Sequence, residues 1–350
     1  MSVAAIGTVL FSSFGCMALG IHALRSNMLA EPARKGVAAL YARVVFPTMV
    51  FMGVADIDLA AVDRSMLVVI LASKATLAAL VVAYAYVTLR RSQGPGSALA
   101  HAGAWAMAAS HSFDVTLGVP LAKVLHPSSV AYAYLNQSVQ LVLVNPILLM
   151  LMEASGTNGS NSSSLGKALR EVVTNPLVVM TLLGLLANIA FPAGLPAAVM
   201  AFGRQVASAG PFLGFLALGF AMGSLGGTSS EELGVCAGLC AFKLVLMPLL
   251  YLTYARILGC DAAPALLTFL GTLPASASVY SLTLTKNLSP KIVGPLVPSS
   301  MLLCVALALL PLWPAPRAAE LLRGVIGVAG IAMGLRAAAV GGIPSGAKRD

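Results

Sequence analysis

Three charged residues stand inside long apolar stretches of the sequence: Lys74 in ILASKATLAAL, Asp114 in HSFDVTLGVP and Lys243 in LCAFKLVLMPL. A charge at the centre of a bilayer costs on the order of 3 kcal/mol, so each side chain needs a partner, water or a function. Asp114 is too short to reach a membrane surface, and its carboxylate can pair with a lysine or titrate. We predict ion or proton binding by Asp114, Lys74 and Lys243. Because lysine stems can snorkel to the nearest surface, a structural role stays open for both lysines.

Two proline-containing segments predict broken helices. The first, HSFDVTLGVP, ends at Pro120, and the second, GTLPASASVYS, contains Pro274 among small residues. Proline removes a backbone donor and clashes with the preceding turn. A helix broken inside a membrane is tolerated only where its open backbone groups line a protein cavity. The predicted substrate-binding residues are therefore those around the two breaks: Ser112, Phe113, Asp114, Gly118, Pro120, Gly271, Pro274, Ser276 and Ser278. The alternative is a pair of simple proline kinks in a packed bundle.

The composition of the whole chain indicates that lipid is its solvent. Of the 350 residues, 59% are hydrophobic and only 9% are charged, whereas about a quarter of a soluble domain is charged. Apolar stretches of about 20 residues, enough to cross a bilayer, recur along almost the whole sequence. We predict an integral, multi-pass, all-α membrane protein whose first partner is the lipid bilayer. Plasma membrane, endoplasmic reticulum and lysosome or vacuole all stay open as its location.

The sequence predicts ten transmembrane spans connected by short loops. The predicted spans are 3–24, 36–54, 65–89, 99–125, 129–152, 172–191, 197–225, 232–258, 263–286 and 291–313. The longest connection, 153–171, contains GTNGSNSSS and has the composition of a flexible linker. The tail 314–350 has too short an apolar run for a span, so we expect an interfacial helix there, with an eleventh span over 320–341 left open.

The positive charges of the loops predict the orientation. Odd-numbered loops carry most of the basic residues, and short loops rich in Lys and Arg face the cytosol. These basic residues are Arg25, Arg34, Lys35, Arg90, Arg91, Lys167, Arg170, Lys286 and Lys291. We therefore expect the 153–171 linker inside the cytosol, and the N-terminus and the end of the tenth span outside it or in a lumen.

An internal repeat follows from landmarks that recur in the same order. Four of them lie in spans two to five of the first half and four in spans seven to ten of the second. They are Pro47, Lys74, Pro120 and Pro146, matched by Pro211, Lys243, Pro274 and Pro298. Because each half has an odd number of spans, the halves must be inverted relative to one another. The predicted organisation is a five-helix repeat over 1–152, the cytosolic linker 153–171, an inverted five-helix repeat over 172–313 and the tail 314–350. We expect the ends of the two broken helices, four and nine, to meet at a binding site.

Several function classes find no support in the sequence. There is no nucleophile elbow, phosphate-binding loop or zinc motif in a suitable context, so we expect no enzyme, cofactor or metal site. The five cysteines lie in or beside apolar spans without metal-ligand spacing. The net charge of +9 comes from lysines and arginines scattered between the spans. That distribution indicates membrane topology and excludes nucleic acid as a partner.

Five segments, taken in order, resemble the auxin efflux carrier family, which includes the PIN-type carriers. They are ARVVFPTMVF, SHSFDVTLGVPLAKVL, VNPILLMLME, VTNPLVVMTLLGLLAN and FLGTLPASASVY. The likeness is greatest to the transporter-like domain of the lysosomal cholesterol-sensing proteins, and it covers residues 1–313. It implies a ten-span inverted repeat in which the broken helices four and nine cross at a substrate site. Spans 1, 2, 6 and 7 would form a scaffold. Spans 3–5 and 8–10 would form a mobile transport domain that works as an elevator.

The resemblance implies transport of a small organic anion, such as auxin or a dicarboxylate. Two family asparagines are replaced in this chain, by Phe113 before the first crossing proline and by Ser278 after the second. The loss of these amides leaves room for a larger, more apolar ligand. Two hypotheses therefore stay open: a secondary transporter of an organic anion or weak acid, and a membrane module that senses a sterol or similar lipid and signals through partners. A homodimer is also left open.

Overall fold

A computed structural model describes residues 3–153, 173–224 and 227–309, together with the separate positions 166, 170, 327, 329, 330, 332 and 333. Most of the predicted linker 153–171 and of the tail 314–350 lies outside the described residues. The predicted interfacial helix or eleventh span of the tail thus falls largely outside the described residues, of which the separate positions 327, 329, 330, 332 and 333 are helical.

The described chain is helical apart from one isolated β-bridge. The first half contains α1 (Val3–Arg25), α2 (Glu31–Ala55), α3 (Arg64–Gln93), α4 (Pro95–Ser110), α5 (Val119–Leu125) and α6 (Pro127–Met152). The second contains α7 (Pro176–Ala190), α8 (Ala197–Gly223), α9 (Ser230–Leu258), α10 (Pro264–Thr272), α11 (Ala277–Lys286) and α12 (Pro290–Leu309).

Seven of the described helices are long and apolar enough to cross a membrane: α1, α2, α3, α6, α8, α9 and α12. The apolar helix α7 is shorter. The predicted fourth and ninth spans are each divided into two helices, α4 with α5 and α10 with α11. The prediction of an all-helical, multi-pass membrane protein is confirmed by this composition of the helices. The inverted arrangement of two repeats stays a prediction.

Proline shapes the long helices through wider, π-helical turns. Each of these turns ends two residues before a proline. The four prolines are Pro47, Pro120, Pro146 and Pro248. A proline ring clashes with the carbonyl of the preceding turn and offers no N–H to it. A π-turn moves that carbonyl away and leaves the helix continuous. These prolines therefore reshape their helices without ending them.

The described residues divide into two compact units. Unit 1 comprises Met1–Leu67, Phe113–Val142 and Glu171–Leu225, and unit 2 comprises Val68–Ser112, Leu143–Arg170 and Gly226–Asp350. Helices α1, α2, α7 and α8 thus belong to unit 1, while almost all of α3 and the whole of α9 to α12 belong to unit 2. The family resemblance implied a carrier made of spans 3–5 and 8–10. The segment Phe113–Val142, from spans four and five, instead packs with unit 1.

Unit 1 is held together by a close contact of α1 with α8. A Cβ atom added to Gly20 would lie 2.4 Å from the carbonyl oxygen of Leu216, and one added to Gly219 would lie 2.2 Å from that of Met17. Both distances are far below van der Waals contact, so only glycine allows the two backbones to approach so closely. Small residues at helix contacts are a general means of packing in membranes, where the hydrophobic effect between helices is absent.

A second contact in unit 1 closes the end of α2. The side-chain amide of Asn188, on α7, donates to the carbonyl oxygens of Val54, Ala55 and Ile57 at 3.4, 3.0 and 2.6 Å. The last carbonyls of a helix have no partner within the helix and must find one elsewhere. Asn188 therefore stabilises the C-terminal end of α2 by supplying that donor.

Candidate functional site

The interruption of the fourth span begins where α4 ends at Ser110. His111 has the extended backbone angles φ −83° and ψ 135°, and Phe113 has φ −87° and ψ 59°. Helical structure resumes with a π-turn from Asp114 to Gly118. The break therefore lies upstream of Pro120, which stands in the first turn of α5. This break lies within the segment HSFDVTLGVP that the sequence marked, and the π-turn before Pro120 absorbs the clash of the proline.

The interruption of the ninth span lies at Pro274 itself. Helix α10 ends at Thr272, and α11 begins at Ala277 after an extended segment. Leu273, with φ −57° and ψ 137°, has the extended conformation that a following proline imposes. Ser276 is also extended, with φ −74° and ψ 131°. The sequence prediction of a helix interrupted near Pro274 agrees with this local geometry.

The two extended segments meet inside unit 2. Ser112 and Ala275 form an isolated antiparallel β-bridge. The amide of Ser276 donates to the carbonyl of His111 at 3.3 Å, and the amide of Ala275 donates to the Ser300 hydroxyl of α12 at 3.0 Å. Backbone groups that each broken helix leaves open are thus satisfied by the other segment or by a side chain, as a membrane interior requires.

Two buried lysines, one from α3 and one from α9, converge on Ser112. The ammonium of Lys74 donates to the carbonyl oxygen of Ser110 at 3.1 Å and to the Ser112 hydroxyl at 3.2 Å. The ammonium of Lys243 donates to the same Ser112 hydroxyl at 2.7 Å. Both lysine side chains have no exposed surface. Neither reaches out to a surface, so the snorkelling alternative does not describe this geometry.

The two lysines place positive charges close together. Their ammonium groups contact one oxygen, so they lie no more than about 6 Å apart. At an effective dielectric constant of about 20, two unit charges at that separation repel one another by about 3 kcal/mol. The N-terminus of α11, which carries a partial positive charge, begins at Ser276 beside the place where the two broken helices meet.

His111 belongs to the same cluster, although the sequence did not place it among the substrate-binding residues. Its side chain is buried, and its Nδ1 atom lies 3.2 Å from the Ser110 hydroxyl oxygen. Its Nε2 atom has no hydrogen-bond partner among the described residues. The side chains of Lys74, Lys243 and Asn145 all lie close to the imidazole. The signal in the sequence was its position directly before Ser112 in a polar run.

Other predicted site residues have different surroundings. In unit 1, Phe113 packs edge-on against Phe215 with ring centres 5.6 Å apart. The buried Asp114 carboxylate accepts a hydrogen bond from the Asn136 amide at 2.8 Å. Gly118 is buried in the π-turn that Asp114 opens. The predicted pairing of Asp114 with a lysine is not tested by these contacts and stays a prediction.

Pro120 lines a cavity of about 530 Å³ within unit 1. Charged residues of both signs share its wall, namely Asp56, Asp58, Lys123 and Arg204. All four are exposed. The cavity is thus a recess of unit 1 that carries charged side chains, and Pro120 contributes to its shape.

In unit 2, Gly271 and Ser278 have contacts of their own. A Cβ atom on Gly271 would lie 2.5 Å from the Cα atom of Pro248, so this glycine allows α10 to pack against α9. The Ser278 hydroxyl oxygen lies 2.8 Å from that of Ser276. Of the predicted residues, the structure therefore brings Ser112, Ser276, Lys74 and Lys243 together, while Gly271 serves helix packing.

Unit 2 also contains an apolar cavity of about 960 Å³. One wall is the alanine-rich side of α3, and the others come from the start of α4 and from the second half of α6. Typical lining residues are Leu71, Ala75, Ala79, Leu99 and Ile147. The volume lies within the range of small-molecule sites, and the lining suits a lipid better than an ion.

Metal ligation has no basis in the residues that the structure describes. Within them, His, Cys, Asp and Glu form no group of three or more that could hold a metal ion. The place where the two broken helices meet instead concentrates cationic and hydroxyl donors.

No protein-family model matches the chain. The chain is similar to the lysosomal cholesterol signaling protein of Mus musculus, with 25% identity over 261 residues. The match covers 71% of this chain but only 30% of the mouse protein. This distant relationship supports a likeness to one part of that longer protein.

Proposed function

We propose that this chain is a secondary transporter of a small organic anion or weak acid, of the auxin efflux carrier type. The observation that carries the proposal is the convergence of Lys74 and Lys243 on Ser112, where two broken helices meet. Cations buried in a membrane protein normally serve a substrate or ion pathway. Half-helix ends at the middle of the membrane are the usual binding elements of secondary transporters.

The proposal includes two inverted repeats, 1–152 and 172–313. It is supported by the matching places of the two lysines, one on α3 and the other on α9. Both donate to the same hydroxyl, as repeat-related residues around a shared site would. The two interrupted spans supply the extended segments that form the Ser112–Ala275 bridge. An inverted repeat accounts for both correspondences at once.

The proposal also includes an elevator mechanism, in which one unit carries the anion. The cluster of Ser112, Ser276, Lys74 and Lys243 lies wholly within unit 2. An elevator requires the substrate to be held by a single moving body, so this placement supports unit 2 as the carrier. In this proposal Asp114 serves proton or ion coupling from the segment that follows the break.

Flux into proteoliposomes tests this function. Radiolabelled succinate and indole-3-acetate serve as a dicarboxylate and an aromatic monocarboxylate probe. We expect saturable uptake of at least one probe by the wild-type chain and its loss in the double variant Lys74→Met/Lys243→Met. The variant Lys291→Met is the matched control, because Lys291 is exposed. Uptake that survives in the double variant would contradict the proposed site.

The second candidate function is a sterol-sensing or lipid-sensing module, and the apolar cavity of unit 2 favours it. The name of the mouse relative concerns cholesterol signalling, and the Phe113–Phe215 contact adds apolar surface beside the break. A sensor binds its ligand without moving it. Thermal stabilisation by cholesterol, with no flux of cholesterol or of either anion, would favour this candidate over transport.

A further inference from the structure

The apolar cavity of unit 2 is elongated, and its base lies on α3. Ala75, Ala79 and Ala83 follow one another along this base at a spacing of one helical turn, and all three are exposed. Their small side chains leave the volume of about 960 Å³ open in front of the facing wall on α6. The lining residues of α3 run from Leu71 to Tyr86, which is about 22 Å at 1.5 Å per residue. Half of a bilayer's hydrocarbon core is about 15 Å thick, so the cavity is long enough for an acyl chain.

One end of this cavity carries positive charge. Tyr86 is the last lining residue of α3, and Arg90 lies one helical turn beyond it on the same face. Arg91 follows, and both arginines are exposed. Helix α4 begins at the same end, where Pro95 and Gly96 line the cavity and none of the described side chains caps the first turn. The backbone N–H groups of that turn add a partial positive charge.

The acidic residue that follows the facing wall has its own partner. Leu151 is the last lining residue of α6, and Glu153 comes two residues later. Glu153 forms an ion pair with Lys286, so its charge is compensated within unit 2. The orientation predicted from the loops places this end of the cavity at the cytosolic leaflet. Anionic phospholipids are concentrated in that leaflet, and basic pockets between helices bind their headgroups.

We propose that this cavity binds an anionic diacyl phospholipid, with one acyl chain along the alanines of α3 and the phosphate at Arg90 and the start of α4. A guanidinium donates two parallel hydrogen bonds to phosphate oxygens, and its stem can lie along an apolar wall. A sterol could fill the apolar part, but its neutral hydroxyl gains nothing from the positive charge. Phosphatidylcholine has the phosphate, but its own cation opposes the arginine. The charged end therefore favours the anionic class of lipid over both.

Native mass spectrometry of the full chain in detergent measures lipid binding, with phosphatidylserine, phosphatidylcholine and cholesterol as probes. We expect phosphatidylserine to bind at least about fivefold more tightly than phosphatidylcholine, which is the contribution of one basic residue near an anionic headgroup. Arg90→Gln should remove most of this preference. Arg256→Gln is the matched control, because Arg256 is an exposed arginine in the last turn of α9, which does not line the cavity. We expect this control to keep the preference.

A second set of variants tests the position of the acyl chain. Ala79→Phe fills the base of the cavity, and Ala83→Phe repeats the test one turn further along α3. We expect phosphatidylserine to bind at least about tenfold more weakly to each, since the loss of two buried methylene groups has that effect. Leu80→Phe is the matched control, because Leu80 is exposed on the same helix outside the lining. Helicity and thermal melts without added lipid show which variants are folded.

The outcomes distinguish the possible occupants. Equal affinities for phosphatidylserine and phosphatidylcholine, or a preference that survives in Arg90→Gln, overturn the assignment of the headgroup. Phosphatidylserine binding that is unchanged in both phenylalanine variants of the alanines overturns the position of the chain. Cholesterol binding that alone is lost in those two variants makes the occupant a sterol and overturns the proposal. A preference lost in Arg90→Gln and binding lost in the two filled variants, with both controls intact, support it.

Discussion

The mutual repulsion of the two buried lysines is open to direct measurement. Replacing Lys74 and Lys243 by methionine, singly and together, removes each charge while keeping a flexible side chain of similar length. The four proteins form a double-mutant cycle in the absence of any ligand. Such a cycle isolates the interaction between two residues from the contacts that each makes with its surroundings.

The magnitude follows from the distances at Ser112. Both ammonium groups contact its hydroxyl oxygen, so their separation of at most about 6 Å gives a repulsion of about 3 kcal/mol. A hydrogen bond from a charged donor contributes about 1.5–3 kcal/mol in the opposite direction. Each single variant loses its hydrogen bonds but is also freed of the repulsion, so the two effects on its stability oppose one another. The double variant loses both sets of hydrogen bonds while the repulsion is removed only once.

The double variant should therefore be less stable than the sum of the single changes by about 3 kcal/mol. Denaturant titrations in a fixed detergent mixture, with helicity as the signal, give the four free energies of unfolding. The pair of Lys286 and Glu153 in unit 2 provides a control cycle, since these two side chains form an ion pair. Lys286→Met with Glu153→Gln should give a coupling of opposite sign and up to about 1 kcal/mol, because opposite charges attract. A lysine cycle that is additive within about 0.5 kcal/mol would refute the picture of two charged groups close together.

Three further predictions concern other contacts. Gly219→Ala should lower the free energy of unfolding by about 1–3 kcal/mol, because the new methyl group would overlap the Met17 carbonyl. Gly15→Ala, in open space on α1, should not lower it, and thermal melts of both variants measure the difference. Asn188→Ala should cost about 1–3 kcal/mol, since carbonyls at the end of α2 lose their donor, and faster hydrogen exchange confined to that end would identify the cause. If transport is proton-coupled through Asp114, Asp114→Asn should fold normally and lose the pH dependence of uptake, and unchanged pH-dependent flux would remove Asp114 from the mechanism.

The sequence predicted the helical segments well because their signal is local. An apolar run of span length has few alternatives to a membrane helix, and each predicted span contains helix in the described structure. The break at Pro274 was also predictable, since proline restricts the residue before it and Leu273 is extended as a result. The break of span four lies directly before Asp114, inside the segment that the sequence marked, while a π-turn accommodates Pro120 without ending the helix.

The contacts of the crossing could not be read from the sequence. Lys243 and Ser112 lie far apart along the chain, and nothing in their local patterns indicates that one donates to the other. The role of Gly271 in substrate binding stays a prediction, while its packing against Pro248 of α9 could not be read from the sequence. Periodicity identifies which residues face a core, whereas the identity of a partner depends on tertiary packing.

The two lysines are not equivalent, and the difference separates a structural role from a binding role. Lys74 donates to the carbonyl of Ser110, the last residue of α4, so it stabilises a helix end where a positive charge is favourable. Lys243 adds a second cation to a hydroxyl that Lys74 already contacts. We therefore expect Lys74→Met to lower both stability and anion affinity, and Lys243→Met to lower anion affinity by about 10- to 150-fold, the loss of one charge-assisted hydrogen bond, with little change in stability. Equal losses of stability in the two variants, with no loss of affinity for succinate or indole-3-acetate, would leave both lysines with a structural role alone.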